Sequence, residues 1–252
     1  MPAWDDRRFV SPTLDPRAPD PHRQTLQLDT ALQLLKASGQ AGPDGEPGSD
    51  RWLQGLIDAL VDLSSRDALT GLANRRSFEL ALTREIDRVA RSGEPALLLV
   101  LDIDHFKRVN DTYGHASGDL VIRSVGRTLQ DTVRPMDLVA RVGGEEYAIL
   151  LPNCPAAFGP QVAERIRACV AGTRVETPSG QTLGVTVSIG GAFAPQWVRT
   201  TPTLWLERAD LQLYQAKDEG RDRCCLEPAA VSQVSAEEKG LLFATSQFQE
   251  LL

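Results

Sequence analysis

The stretch Arg141-Val-Gly-Gly-Glu-Glu-Tyr147 decides the fold of this chain and points to its chemistry. Apolar runs flank it, residues 138–140 before and 148–151 after. A Gly-Gly pair between two such runs predicts a β-hairpin with positive φ at both glycines. Glycines also let a ligand approach the backbone, and neighbouring carboxylates supply the hard oxygen ligands that Mg²⁺ prefers. Alone, the heptad fits an ordinary turn with solvated glutamates equally well.

The composition is that of an ordinary globular protein. Of the 252 residues, 42% are hydrophobic and 24% are charged, which are usual fractions. The net charge of −7 argues against binding to a nucleic-acid polymer, which relies on a basic surface. We see no apolar run long enough for a membrane span and no secretion signal at the N-terminus. The four cysteines lack Cys-x-x-Cys spacing and are interpreted as reduced thiols, so we expect a cytoplasmic protein.

The first part of the chain is predicted to be partly helical. Residues 1–23 are rich in Pro, Asp and Arg and are predicted to lack fixed structure. Leucine spacing predicts helices over 24–37 and 51–64, joined by a breaker-rich linker over 41–50. The second helix has coiled-coil spacing, but two heptads leave a coiled coil and packing on the following domain as equal alternatives. The segment 24–65 is therefore a candidate dimerisation element.

Helical and strand patterns alternate from residue 66 to residue 226. The expected helices are Arg75–Arg91, Asp119–Val133 with Ser117 as its cap, Pro155–Ala171 and Leu204–Lys217. The expected strands are Ala96–Ile103, the two arms of the hairpin, and Gly184–Phe193. The run Ala96–Ile103 is continuously apolar, which is typical of a central strand covered on both faces. Helices on a mixed sheet that contains a hairpin indicate an α/β (α+β) fold.

The chain after Leu226 contains a further pattern that is typical of a helix. A capping-box pattern over 235–238 is followed by Leu241, Leu242, Phe243 and Phe248. This pattern predicts a short amphipathic helix within 227–252 that docks on the domain or on a partner.

Acidic residues stand at the end of the central strand. Side chains alternate along a strand, so Asp102 and Asp104 are expected to point the same way while Ile103 points into the core. A single Asp there fits a solvated strand end. With Glu145 and Glu146 on a neighbouring strand, a metal site is the better interpretation.

Two further groups of polar residues suit a nucleotide. Asn110 and Asp119 can contact a purine edge, and a carboxylate accepts hydrogen bonds from N1–H and the 2-amino group of guanine, donors that adenine lacks. Lys217 and Arg221 stand around Gly220 at a helix end, where basic residues are commonly capping partners. With a triphosphate present, both could neutralise its charge.

Six segments, taken in order, resemble the GGDEF family of diguanylate cyclases over residues 66–226. They are Asp67–Arg75, Leu101–Lys107, Asn110–Asp119, Arg141–Tyr147, Val185–Gly190 and Ala209–Arg221. The resemblance implies a nucleotidyl-cyclase-like fold, with a central mixed five-stranded sheet wrapped by helices and preceded by N-terminal helices. It also implies that two GTP molecules condense into cyclic di-GMP with release of two pyrophosphates.

The resemblance also assigns roles to residues. Two Mg²⁺ (or Mn²⁺) ions per GTP would be bound by Asp102, the Ile103 carbonyl and Glu145. The substrate would be contacted by Phe106, Lys107, Asn110, His115, Asp119, Gly143 and Gly144. The catalytic set would be Glu145, Glu146, Lys217 and Arg221, and which glutamate takes the proton stays open. Glu145 and Tyr147 stand where the family usually has Asp and Phe.

A second site is implied nine residues before the glycine pair. The sequence Arg134-Pro-Met-Asp137 matches the Arg-x-x-Asp inhibitory product site of the family, and Arg165 stands where a second arginine joins it. Arg can pair bidentately with a phosphate or a guanine edge. The alternative is a surface ion pair of little energetic value.

The expected protein is a homodimer in which two GTP-loaded half-sites face each other. A non-catalytic receptor or scaffold that binds cyclic di-GMP or GTP is the main alternative, and the intact set of metal and phosphate ligands speaks against it. An enzyme that cyclises another nucleotide is a further alternative, against which Asp119 argues.

Overall fold

The computed structural model describes residues 28–39, 42–195 and 200–228. The predictions for residues 1–23, for the start of the first helix and for the amphipathic tail helix lie outside these ranges. The chain divides between Leu63 and Ser64 into two compact units. The four cysteines, all within the described residues, are free thiols. Within the described residues, we find no helix with both the length and the apolar character needed to cross a bilayer.

The first unit is a pair of helices, α1 (Asp29–Ala37) and α2 (Asp50–Ser65). Leu35 of α1 and Trp52 and Leu56 of α2 form its buried centre. Further leucines pack around them: Leu28, Leu32, Leu53, Leu60 and Leu63. The leucine stripe of α2 therefore packs on α1, which neither of the two predicted alternatives anticipates.

The second unit holds thirteen of the elements. In chain order they are β1 (Ala73–Asn74), α3 (Arg75–Ser92), β2 (Ala96–Ile103), α4 (Phe106–Tyr113), α5 (His115–Thr132), β3 (Leu138–Arg141), β4 (Glu146–Pro152), α6 (Gly159–Gly172), β5 (Val175–Glu176), β6 (Thr182–Leu183), β7 (Val187–Phe193), α7 (Pro202–Asp218) and β8 (Cys224–Leu226). Six strands form one sheet in the order β1-β3-β4-β2-β7-β8, and β5 pairs with β6 separately. Strand β2 is antiparallel to both its neighbours, while β1 and β8 run parallel to theirs.

The mixed α/β architecture is confirmed, but the sheet has six strands where five were predicted. The edge strands β1 and β8 contain only two and three residues. Strands this short carry no alternating pattern, so the sequence could not reveal them.

The helix expected at Asp119 is also corrected. It begins at His115, after a separate helix α4, and Gly114 separates the two with φ 79°. Ser117 lies inside α5, where its hydroxyl donates to the Tyr113 carbonyl at 2.8 Å. It therefore back-bonds within the helical region and does not cap α5.

The core lies on both faces of the sheet. On one face Leu97, Leu99 and Leu101 of β2 pack under α5 and α6, and on the other Leu98 and Val100 pack under α3 and α7. Every residue of β2 is buried, as its continuous apolar run predicts. The chain therefore leaves a rigid, doubly covered strand at Asp102, and this strand fixes the position of the acidic residues at its end.

Candidate active site

The hairpin and the end of β2 meet through the main chain. In the β2–β4 ladder Asp102 stands opposite Glu146, and the Ile103 N–H donates to the Glu145 carbonyl at 3.2 Å. The pairing brings the two carboxylate-bearing segments of the sequence together. Lys217, from the last turn of α7, places its Nζ 2.9 Å from Asp102 Oδ2. A carboxylate cluster with one compensating cation therefore forms where β2 leaves the sheet.

Glu145 feels the negative charge of this cluster. Burial is the largest cause that raises its pKa above the usual value, and Asp102 and Glu146 raise it further while Lys217 opposes them. Around Glu145 the carboxylates of Asp102 and Glu146 outnumber the single cation of Lys217. This excess of negative charge suits a bound cation.

The two hairpin glycines, Gly143 and Gly144, leave space because they have no side chain. Neither Gly143 nor Gly144 has a positive φ, so that expectation was wrong: the hairpin joins β3 and β4 through residues 142–145 and not through a two-residue primed turn. A Cβ on Gly143 would lie 2.2 Å from Glu146 Oε2, whereas one on Gly144 would meet no protein atom within 4 Å. Gly143 leaves room for Glu146, and Gly144 leaves open space beside the cluster.

An ion pair that the sequence analysis missed holds the hairpin in place. Arg141 donates from Nη1 to both carboxylate oxygens of Asp67 at 3.1 Å and from Nη2 to the Gly144 carbonyl at 2.8 Å. Burial alone would raise the pKa of Asp67, but hydrogen bonds from Thr70 and Arg141 outweigh it and lower that pKa. We call Asp67, Arg141 and the Gly144 carbonyl the hairpin clamp. The Asp67-x-x-Thr70 spacing signals only the local turn, in which Asp67 accepts from the Thr70 N–H, and it does not reveal Arg141.

The two aspartates at and after the end of β2 have different partners. Asp104 accepts hydrogen bonds from the hydroxyls of Thr186 and Ser188, both at 2.7 Å, and from the N–H of Asp222 at 3.1 Å. Its oxygens therefore bind the loop after α7 to the sheet. Asp102 pairs with the Lys217 ammonium, which a metal ion could displace. Asp102 is therefore the better candidate metal ligand of the two.

Helices α4 and α5 bring the predicted base-reading residues together. A Cβ on Gly118 would lie 2.0 Å from Asn110 Oδ1 and 3.1 Å from the Phe106 ring. The amide of Asn110 thus lies over Gly118, next to the exposed Asp119. Phe106 is buried in the core, while Lys107 and His115 are exposed at the first turns of α4 and α5. Of the predicted substrate contacts in this region, Phe106 alone is buried away from solvent.

The loop after α7 bends sharply beside the cluster. Arg221 has φ 65°, its N–H donates to the Ala216 carbonyl at 3.0 Å, and its side chain is exposed. Because the next residue, Asp222, is bonded to Asp104, the backbone of Arg221 is held close to the end of β2. The structure brings Lys217 into the cluster and places Arg221 near it on the solvent side.

The donor set suits a hard divalent cation. Within the described residues, no three His, Cys, Asp or Glu side chains converge on one point. The set implied by the resemblance contains only two carboxylates, Asp102 and Glu145, with the main chain of Ile103. Mg²⁺ typically takes one or two carboxylates and completes its shell with water and substrate phosphates. A site with few protein ligands and excess negative charge fits that pattern.

A family model described as "Diguanylate cyclase, GGDEF domain" matches residues 64–223. The chain belongs to the GGDEF family. It is 40% identical over 172 residues to the response regulator PleD of Caulobacter vibrioides, covering 68% of this chain and 38% of PleD. It is 43% identical over 162 residues to the diguanylate cyclase DgcP of Pseudomonas aeruginosa, covering 62% of this chain and 23% of DgcP.

A solved structure of a GGDEF protein has the same fold. The crystal structure of the coiled coil and GGDEF domain of DgcB from Caulobacter crescentus, in complex with c-di-GMP, matches with a TM-score of 0.66 and 34% identity. The match covers 69% of this chain and 92% of that chain. This chain spans less than half the length of PleD and DgcP.

Tyr147 fits the core of this GGDEF domain. The residue is fully buried and its hydroxyl donates to the Ile122 carbonyl at 2.7 Å. Burial raises the pKa of this phenol, so it stays neutral and keeps its proton for that bond. The hydroxyl thus has the partner that a buried Tyr requires.

The predicted product-site residues of the GGDEF domain line one pocket. Arg134, Asp137 and Arg165 border a cavity of about 450 Å³ together with Cys154 and Phe158. Arg134 binds Asp137 bidentately, with Nε–Oδ2 3.1 Å and Nη2–Oδ1 2.9 Å, and also donates to the Pro152 carbonyl. The Asp137 carboxylate is almost fully buried, unlike that of a freely solvated surface pair.

Proposed function

We propose that this GGDEF domain is a diguanylate cyclase that condenses two GTP molecules into cyclic di-GMP and two pyrophosphates, with Mg²⁺ or Mn²⁺ and as a homodimer. Membership of the family and the diguanylate cyclase relatives support cyclic di-GMP synthesis. The main structural support is the cluster of Asp102, Glu145 and Lys217 at the end of β2. A receptor that only bound nucleotide would have no need of this paired charge.

Each condensation step forms one phosphodiester bond. The 3′-oxygen of one GTP attacks the α-phosphorus of the other, the bond from that phosphorus to the β-bridging oxygen breaks, and pyrophosphate leaves. The proton of the 3′-hydroxyl passes to a carboxylate or to water. Asp102, the Ile103 carbonyl and Glu145 would hold two divalent ions, which when bound supply a Lewis acid for the phosphates.

The chain itself contributes positioning and charge. Lys217, seated 2.9 Å from Asp102, would neutralise charge on the triphosphate, with Arg221 and Lys107 on the solvent side. Gly144 offers the open space in which the hairpin backbone meets the nucleotide. Glu146, exposed next to Glu145, is the carboxylate best placed to take a proton without giving up a metal ligand.

Guanine would be read by α4 and α5. The amide of Asn110 and the carboxylate of Asp119 offer the acceptor and donor groups that match its edge, and Asp119 has no equivalent use for adenine. Gly118 leaves room for the Asn110 amide against α5, and the exposed Asp119 is the next residue along that helix.

The reaction is tested by incubating the full chain with GTP and Mg²⁺ and separating the products. We expect cyclic di-GMP and pyrophosphate in a ratio of about one to two. Glu145→Gln, which keeps the shape but removes the charge, should abolish turnover. Binding of cyclic di-GMP without any turnover would overturn the proposal in favour of a receptor.

We further propose feedback inhibition by cyclic di-GMP in the pocket of Arg134, Asp137 and Arg165. Cyclic di-GMP would replace Asp137 as the partner of the Arg134 guanidinium, which can donate two hydrogen bonds to a phosphate or a guanine. Arg134→Ala should raise the product concentration for half-inhibition by at least about tenfold, while initial rates without product stay unchanged. Product inhibition that is unaltered in both Arg134→Ala and Arg165→Ala would exclude this pocket.

A further inference from the structure

Helix α7 carries a stripe of large apolar side chains on its solvent side. Leu204 is 49% exposed, Leu211 is 66% exposed and Tyr214 is 71% exposed. The opposite side of the helix, with Trp205, Ala209 and Leu213, packs on the sheet. Single exposed leucines are ordinary on protein surfaces, but three such residues in line on one helix form a patch. We call Leu204, Leu211 and Tyr214 the α7 stripe.

The described part of the chain ends beside this stripe. After β8, the Glu227 N–H donates to the Gly191 carbonyl at 2.8 Å, and the Glu227 carboxylate pairs with Arg208 of α7. Arg208 lies four residues after Leu204 and three before Leu211, so the three side chains are neighbours on the helix surface. The Arg208–Glu227 ion pair therefore holds the last described residues of the chain against α7, on the turn between Leu204 and Leu211.

The C-terminal sequence after Glu227 has a matching apolar pattern. In residues 229–252, Leu241, Ala244, Phe248 and Leu251 succeed one another at spacings of three, four and three. This spacing predicts one apolar helical face, which Leu252 joins. Leu242 and Phe243 fall outside that face, and Glu250 lies on the opposite side. The seven residues 229–235 before the helix predicted by the capping box can extend to about 24 Å, whereas the stripe is about 15 Å long, so the connection reaches.

We infer that the C-terminal segment 241–252 docks as an amphipathic helix on the α7 stripe of its own chain. Tethering favours this occupant over others, because a short linker holds the segment at millimolar effective concentration. A second copy or another protein at micromolar concentration would compete poorly with it. The stripe belongs to the helix whose last turn supplies Lys217, so docking covers the outer side of an element of the active site.

Hydrogen–deuterium exchange of the full chain tests this docking without measuring turnover, so its outcome is independent of the proposed cyclase activity. The amides of 241–252 should exchange at least about tenfold more slowly than in an unstructured peptide. Phe248→Ser, and separately Leu211→Ser, should remove that protection, because each deletes one side of the contact. Leu80→Ser is the matched control, since Leu80 is a 55% exposed leucine on α3, outside the stripe.

Three outcomes would overturn the inference. The first is exchange of 241–252 at the unstructured rate in the unaltered chain. The second is protection that survives Leu211→Ser or falls equally in Leu80→Ser. The third is protection that increases with protein concentration, which would assign the stripe to a second copy of the chain.

Discussion

At the scale of single residues, the Glu145 carboxylate, a proposed metal ligand, should lower the stability of the metal-free fold. Burial and then the charge of Asp102 raise its pKa. A carboxyl group whose pKa is raised in the folded state destabilises the fold once the pH exceeds its ordinary value, and below that value the effect is absent. Glu145→Gln should therefore raise the Tm of the metal-free protein by about 1–2 °C at neutral pH. The difference should fade as the pH falls towards about 4.

Addition of Mg²⁺ gives this prediction its control. A ligand that binds only the folded state raises the Tm, so Mg²⁺ should stabilise the unaltered chain and leave Glu145→Gln unchanged. Differential scanning fluorimetry with and without the ion measures both effects. A variant that melts lower than the unaltered chain in the absence of metal would show that the Glu145 carboxylate has stabilising partners in the folded state.

The two hairpin glycines offer a matched pair of substitutions. Gly144→Ala places its Cβ in open space, so the unfolding free energy should change by less than about 0.5 kcal/mol, while the KM for GTP should rise. Gly143→Ala forces Glu146 aside and should lower kcat instead. Steady-state kinetics separate the two effects, and an identical kinetic change in both variants would contradict the distinct roles.

At the scale of elements, the hairpin clamp connects the turn between β3 and β4 to the segment that precedes β1. Arg141 and Asp67 are both mostly buried, so Arg141→Gln should lower the unfolding free energy by about 1–3 kcal/mol and reduce kcat. The Asp67 pKa is lowered in the folded state, so its stabilising contribution is present above the ordinary Asp value and is lost as the pH falls through the lowered one. The effect of Arg141→Gln should therefore shrink in acid.

Arg127→Gln is the comparison for the clamp. Its ion pair with Asp131 spans one helical turn at the surface, with both side chains largely exposed. Such pairs contribute little, so urea unfolding of this variant should match the unaltered chain. Equal destabilisation in Arg127→Gln and Arg141→Gln would mean that the clamp has no special role.

The elements differ in how far the sequence alone could predict them. The bounds of β2 are encoded in its apolar run, and those of α3 and α7 in periodicity with Asn74 and Thr201 as side-chain caps. Helix α4 was missed because it has only eight residues, too few for the spacing of Phe106, Val109 and Tyr113 to stand out as a helical period. The Arg141–Asp67 contact spans 74 positions, and local patterns hold no information about such a separation. The predicted positive φ angles of Gly143 and Gly144 were wrong, because a glycine can be required for space instead, as Gly143 is beside Glu146.

At the scale of the whole molecule, the proposed condensation of two GTP molecules requires two half-sites, so the assembly can be tested by dilution and by mixing variants. On the first unit, Ile57 of α2 is 53% exposed although the opposite side of α2 packs on α1, so it is a candidate dimer contact. Specific activity should fall on dilution, and Ile57→Glu should shift that fall to at least about tenfold higher concentration, whereas Gln54→Glu, exposed on the same helix, should not.

Adding an equal amount of Glu145→Gln chains should reduce the activity of unaltered chains to about half, because random exchange puts half of them in mixed dimers. Activity that is independent of both dilution and added variant would show that one chain performs the reaction alone.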